Sequence, residues 1–167
     1  MLSTTRRSFA SRIAYFFTGL SATNLLSGSA HAAPKDKTGV SKLNYEGKPA
    51  DSTALFSPVI VHNGVIYVSG QGAHSRDPEG KFPADIETHT TKVLDNVKTL
   101  VEAGGGAMDS VMQLTVYLAS MEDYGGMNKV FKTYFPHGGP ARTTVAVAAL
   151  PGQSLVEINC IAAVVRK

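Results

Sequence analysis

Two apolar extended runs, Phe56 to His62 and Val65 to Val68, are separated only by Asn63-Gly64. Asn-Gly supplies the two positive-φ positions of a type I′ turn, whose twist matches that of paired strands, so this stretch commits the chain to a β-hairpin. The pattern after it changes period. Asp85 stands as an N-cap before Ile86, His89, Val93, Leu94, Val97, Leu100 and Val101, a stripe at helical spacing that stops at Gly104-Gly105-Gly106. Ser110 to Leu118 alternates as a strand, with Val111, Gln113, Thr115 and Tyr117 on one side. Ser120-Met121-Glu122-Asp123 opens a second helix in the manner of a capping box, with Tyr124, Met127, Phe131 and Tyr134 as its stripe. Arg142 to Val147 and Leu155 to Val165 read as closing strands joined by Leu150-Pro151-Gly152, and Leu43 to Tyr45 as a short edge strand. Ala73 to Ala84 reads as a polar loop turning at Asp77-Pro78-Glu79-Gly80.

This order, hairpin, helix, strand, helix, strand, strand, predicts an α+β fold: one mixed sheet with both helices packed on one face. The strands read as apolar on both sides, with Val59, Val61, Val145, Val147, Ile158 and Cys160 available to either face. A bare apolar sheet face of that size implies an interface, and hence a closed homo-oligomer.

The first 32 residues read differently. Arg6-Arg7 in a twin-arginine setting, a weakly apolar run from Ile13 to Leu26 and Ala30-His31-Ala32 follow the order of an export signal with a cleavage site. The expectation is an exported, periplasmic protein whose mature chain starts at Ala33, with 33–42 a flexible tether and 43–167 a single domain. Arg6, Arg7 and Arg12 belong to the leader, so the remaining 135 residues carry 13 basic and 13 acidic side chains. That balance, without a Lys/Arg cluster, removes the usual basis for nucleic-acid binding. Cys160 is the one cysteine and lies on an apolar strand, which excludes an internal disulfide and favours packing over nucleophilic chemistry. His62, His74, His89 and His137 lack metal-ligand spacing, and no metal or organic cofactor is expected.

Two charged positions stand out. Arg142 follows the Gly138-Gly139-Pro140 turn at the mouth of a strand, and its rigid guanidinium fork suits a planar carboxylate. Glu157 is the carboxylate of an otherwise apolar strand. Spacing alone leaves open a structural ion pair between them at a sheet edge.

From Phe56 to Arg166 the chain resembles the Rid/YjgF family of reactive intermediate deaminases. The resemblance rests on Tyr67-Val68-Ser69-Gly70-Gln71, Asp95-Asn96-Val97-Lys98, Asp123-Tyr124 followed by Asn128, Pro140-Ala141-Arg142-Thr143 and Val156-Glu157-Ile158. It implies a chorismate-mutase-like fold assembled as a trimer with sites between subunits. It also implies cofactor-free hydrolysis of 2-imino acids to 2-keto acids and ammonia. Arg142 would hold the substrate carboxylate and Glu157 the attacking water; Gly70, with Ser69 and Asn128, would add polar contacts. Three places depart from the family pattern. Leu55-Phe56-Ser57 stands where Gly-Pro-Tyr-Ser is frequent, so Phe56 keeps the ring but lacks the hydroxyl. Thr144 occupies a position, two after the arginine, often held by cysteine. Gly72-Ala73-His74 also replaces an apolar-proline continuation. A non-catalytic module binding a small carboxylate is the alternative reading, and RNA cleavage a third.

Overall fold

A computed structural model describes residues 38–73 and 85–165. The leader, the first part of the tether, most of the Ala73–Ala84 loop and Arg166 lie outside the described residues.

Six strands form one sheet: β1 (Ser41–Leu43), β2 (Val59–His62), β3 (Val65–Gly72), β4 (Val111–Leu118), β5 (Ala141–Ala146) and β6 (Val156–Ala163). Their spatial order is β1-β2-β3-β6-β4-β5, and only the β4–β5 pair is parallel. Two helices, α1 (Ile86–Ala103) and α2 (Tyr124–Tyr134), supply the other layer. The mixed α+β arrangement expected from the order of periodicities is therefore present.

The hairpin turn has Asn63 at φ 49° and Gly64 at φ 77°, both positive as a type I′ turn requires. Asp85 caps α1: Thr88 donates its backbone N–H to Oδ1 at 2.8 Å and its hydroxyl to Oδ2 at 2.8 Å. The Thr88 backbone bond, followed by the hydroxyl bond, holds the Asp85 carboxyl below its ordinary value. The Gly104 N–H closes the helix on Leu100 O. The helix stripe goes to the core, where Val93, Leu94, Val97, Leu100 and Val101 meet Val59, Ile66, Leu114, Val116 and Ile158, all fully buried. Burial of this kind is worth roughly 25 cal/mol per Å² of apolar area and is the main force seating the helices.

Several boundaries move. The edge strand is Ser41–Leu43, so the expected tether ends earlier, and Asn44 instead folds a turn by accepting from Glu46 and Lys48 N–H. β3 runs through Ser69-Gly70-Gln71-Gly72, because β6 pairs with it across a bulge between Val68 and Gln71. Ser120 caps the 3-10 turn Met121–Asp123 by accepting from Glu122 N, and α2 begins only after that turn. The faces also sort differently. Val59, Ile158 and Cys160 lie under the helices, and the other face carries Ile60, Tyr67, Thr115, Tyr117, Glu157, Asn159 and Ile161, a mixed surface. Burial pushes the Cys160 thiol up to about 12, which keeps it protonated and inert.

Candidate functional site

Register decides where the two candidate catalytic side chains go. Laterally paired residues of a sheet share a face. Arg142 aligns with Leu114, and Leu114 with Cys160, both in the helix-covered core. Glu157 aligns with Tyr117 and with Gly72, on the open face. Arg142 and Glu157 of one chain thus project to opposite sides of the sheet, and the ion pair that spacing left open is not formed.

Arg142 sits against α2. Its guanidinium carbon lies 4.5 Å from the centre of the Phe131 ring and 5.9 Å from that of Tyr124. One terminal nitrogen donates to Tyr124 Oη at 3.4 Å and the other approaches Met127 Sδ at 3.9 Å. A cation over an aromatic face is stabilised by about 0.5–1 kcal/mol at an exposed site. No carboxylate among the described residues occupies it. Asn128 joins it in lining a cavity of about 360 Å³ between α2 and the turn before β5. Thr144 follows on the same face of β5, and its hydroxyl is buried with no hydrogen-bond partner among the described residues. It does not line this cavity.

Glu157 is grouped with the β3 bulge. A methyl group placed on Gly70 would strike Glu157 Oε1 and come within 3.0 Å of its carboxyl carbon, so this glycine is what gives the carboxylate room. Ser69 is held by its backbone N–H donating to Pro58 O at 3.0 Å. The Gln71 amide, itself anchored by Tyr45 Oη donating to Oε1 at 3.2 Å, donates toward Ser69 Oγ at 3.0 Å and Gly70 O at 3.0 Å. Because Ser69 Oγ accepts there, its own proton remains available to a ligand. Phe56 precedes β2 and is 62 % exposed.

The candidate residues therefore form two groups: Ser69, Gly70 and Glu157 at the β3–β6 bulge, and Asn128 and Arg142 at α2 and β5. Phe56 and Thr144 stand apart from both. Sequence reasoning missed the Tyr124, Met127 and Phe131 cradle, since a stripe at i, i+3 and i+7 reads first as core packing. It also missed the contact of Tyr45 with Gln71, which spans 26 residues.

Residues 47–164 match the family model described as Endoribonuclease L-PSP. The chain belongs to this family, the Rid/YjgF family, and has its chorismate-mutase-like fold. It is 34% identical over 123 residues to the RutC family protein UK114 of Drosophila melanogaster, covering 74% of this chain and 89% of that protein. It is 38% identical over 109 residues to Reactive Intermediate Deaminase A, chloroplastic, of Arabidopsis thaliana, covering 64% of this chain and 57% of that one. The crystal structure of the YjgF gene product from E. coli superposes with a TM-score of 0.63 at 30% identity, covering 73% of this chain and 97% of that one. Membership in a family with a deaminase relative supports deaminase chemistry as the general function.

Proposed function

We propose that this protein hydrolyses 2-imino acids, and the enamines in equilibrium with them, to 2-keto acids and ammonia at sites completed between three copies of the chain. The observation that carries the reading is the division of the site. A guanidinium held over the Phe131 ring without an acidic partner among the described residues lies on one side of the sheet, and a carboxylate given room by Gly70 lies on the other. A second copy that presents its open face to the β5 edge of the first brings the two halves together.

In the completed site Arg142 grips the substrate carboxylate through two N–H donors and sets the imine carbon in place. Glu157 orients a water and takes its proton as the oxygen bonds to that carbon. Protons pass to the imine nitrogen, the C–N bond breaks as the carbonyl forms, and ammonia leaves. Gly70 and Ser69 donate hydrogen bonds to the substrate, Asn128 supports its carboxylate, and the Phe56 ring of the exposed loop walls the pocket. Thr144 in place of a thiol leaves that position without redox chemistry. The twin-arginine leader supports export to the periplasm, so the imines met there arise from amino-acid oxidation outside the cytoplasm.

A carboxylate-binding module without turnover is the second reading, favoured by the missing hydroxyl at Phe56. RNA cleavage, the activity in the family's description, finds no support in a mature chain with equal numbers of acidic and basic side chains. The test is ammonia release from 2-iminopropanoate generated in situ by an amino-acid oxidase. Acceleration lost in both Arg142→Ala and Glu157→Ala is the expected result. A folded protein that binds pyruvate without accelerating hydrolysis would establish the binding module instead.

A further inference from the structure

The Arg142 cavity contains a second cation that a simple imino acid leaves unused. Lys132 lines the same cavity of about 360 Å³ as Arg142, together with Asn128, Phe131 and Phe135, and no Asp or Glu contributes to its wall. The lysines of the two helices differ in how they are satisfied. Lys129, one turn earlier on α2, pairs with Glu87 at 2.8 Å, and Lys98 lies 3.9 Å from Glu102. Among the described residues Lys132 has no such partner, and neither does Arg142. Two cationic side chains lining one cavity beside two aromatic rings, neither with an ion-pair partner among the described residues, attract a ligand with two anionic groups on a short carbon chain. A monocarboxylate satisfies Arg142 alone and turns its side chain, apolar in the simplest cases, toward an ammonium.

We propose that the preferred substrates are 2-imino dicarboxylic acids, with the α-carboxylate on Arg142 and the distal carboxylate on Lys132. The proposal rests on the deaminase reading for its chemistry, but not for its binding geometry. Water adds to the imine carbon, the C–N bond breaks, and a 2-oxo dicarboxylate and ammonia are the products. The Phe131 and Phe135 rings flank the methylenes between the two carboxylates. The reaction that supplies such a substrate is oxidation of an acidic amino acid.

The experiment compares two product analogues with the same five-carbon chain, 2-oxoglutarate and 2-oxopentanoate, by calorimetry on the mature protein. An exposed pair contributes up to about 1 kcal/mol, so 2-oxoglutarate should bind about two- to five-fold more tightly. The preference should shrink at high salt and collapse in Lys132→Gln, while Arg142→Ala weakens both ligands. Equal or tighter binding of 2-oxopentanoate, or an unchanged ratio in Lys132→Gln, would overturn the proposal. Kinetics on the imines of glutamate and norvaline, generated in situ, separate the two claims. Hydrolysis favouring the norvaline imine defeats the dicarboxylate preference and leaves the deaminase standing. Selective binding of 2-oxoglutarate through Lys132 without hydrolysis of either imine defeats the deaminase and leaves the dicarboxylate site. If neither keto acid binds and neither imine is hydrolysed, both fall.

Discussion

Gly70→Ala isolates the placement of the Glu157 carboxylate from the stability of the fold. The added methyl would overlap Glu157 Oε1 and sit 3.0 Å from the carboxyl carbon, while the backbone at Gly70 is outside the left-handed region and accepts alanine without strain. The colliding atom is the far end of a flexible side chain, so the carboxylate swings away and the strands stay paired. The displaced rotamer costs about 0.5–1.5 kcal/mol. The smaller conformational freedom of alanine in the unfolded chain returns about 0.4–1 kcal/mol. The two nearly cancel, and the melting temperature should move by only a few degrees. Catalysis is far more sensitive, because a misplacement of about 1 Å at a reacting group costs on the order of 10²-fold in rate. We expect kcat for 2-iminopropanoate to fall by about that factor, with little change in KM, since Arg142 still holds the substrate. The Gly70→Ala/Glu157→Ala double variant should be no slower than Glu157→Ala alone, because both act on the same carboxylate. Wild-type turnover in Gly70→Ala, or full additivity in the double variant, would refute the reasoning.

Three further outcomes follow from other contacts. Phe131→Leu removes the ring under Arg142 and should weaken 2-oxobutanoate binding about two- to five-fold by calorimetry, the equivalent of a cation–π contact of 0.5–1 kcal/mol. Cys160, with its thiol pushed up to about 12 by burial, should resist a disulfide reagent at pH 8 in the folded protein and react at once in guanidinium. Asp85 has a folded-state pKa below its unfolded one, so its stabilisation is complete above the unfolded value and fades as pH falls through the folded value. The melting-temperature gap between wild type and Asp85→Ala should accordingly be full at pH 7 and narrow below about pH 4.

The elements that local chemistry specifies were legible in the sequence. Asn63-Gly64 demands a particular turn, Asp85 and Gly104 bracket α1, and the α1 stripe names the core, whereas the α2 stripe includes the exposed Tyr124. What escaped was register. Ser69-Gly70-Gln71-Gly72 has turn-like composition, yet β6 continues to pair with it because a bulge absorbs the irregularity. A second bulge, between Val111 and Gln113, shifts the parity of β4, so Val111 joins the core although it alternates in step with the open-face Gln113. Each strand's alternation could be read alone, but which face of β5 matches which face of β6 depends on pairings made through β4. The opposite orientation of Arg142 and Glu157 was therefore invisible to pattern reasoning. So were the contacts that orient them, because Tyr124 and Phe131 read as core stripe, which hides their second role beside Arg142, and Tyr45 and Gln71 are brought together only by the β1–β2–β3 pairing.

The division of Arg142 and Glu157 between two faces makes one measurement decisive. Arg142→Ala and Glu157→Ala are each purified as inactive proteins, then unfolded together and refolded as a mixture, and imine hydrolysis is assayed. In a cyclic trimer whose sites take the arginine from one copy and the glutamate from its neighbour, random mixing restores about a quarter of the sites. Activity near a quarter of wild type is the expected result. A mixture as inactive as its components, although mixed trimers have formed, would contradict a shared site and with it the proposed mechanism.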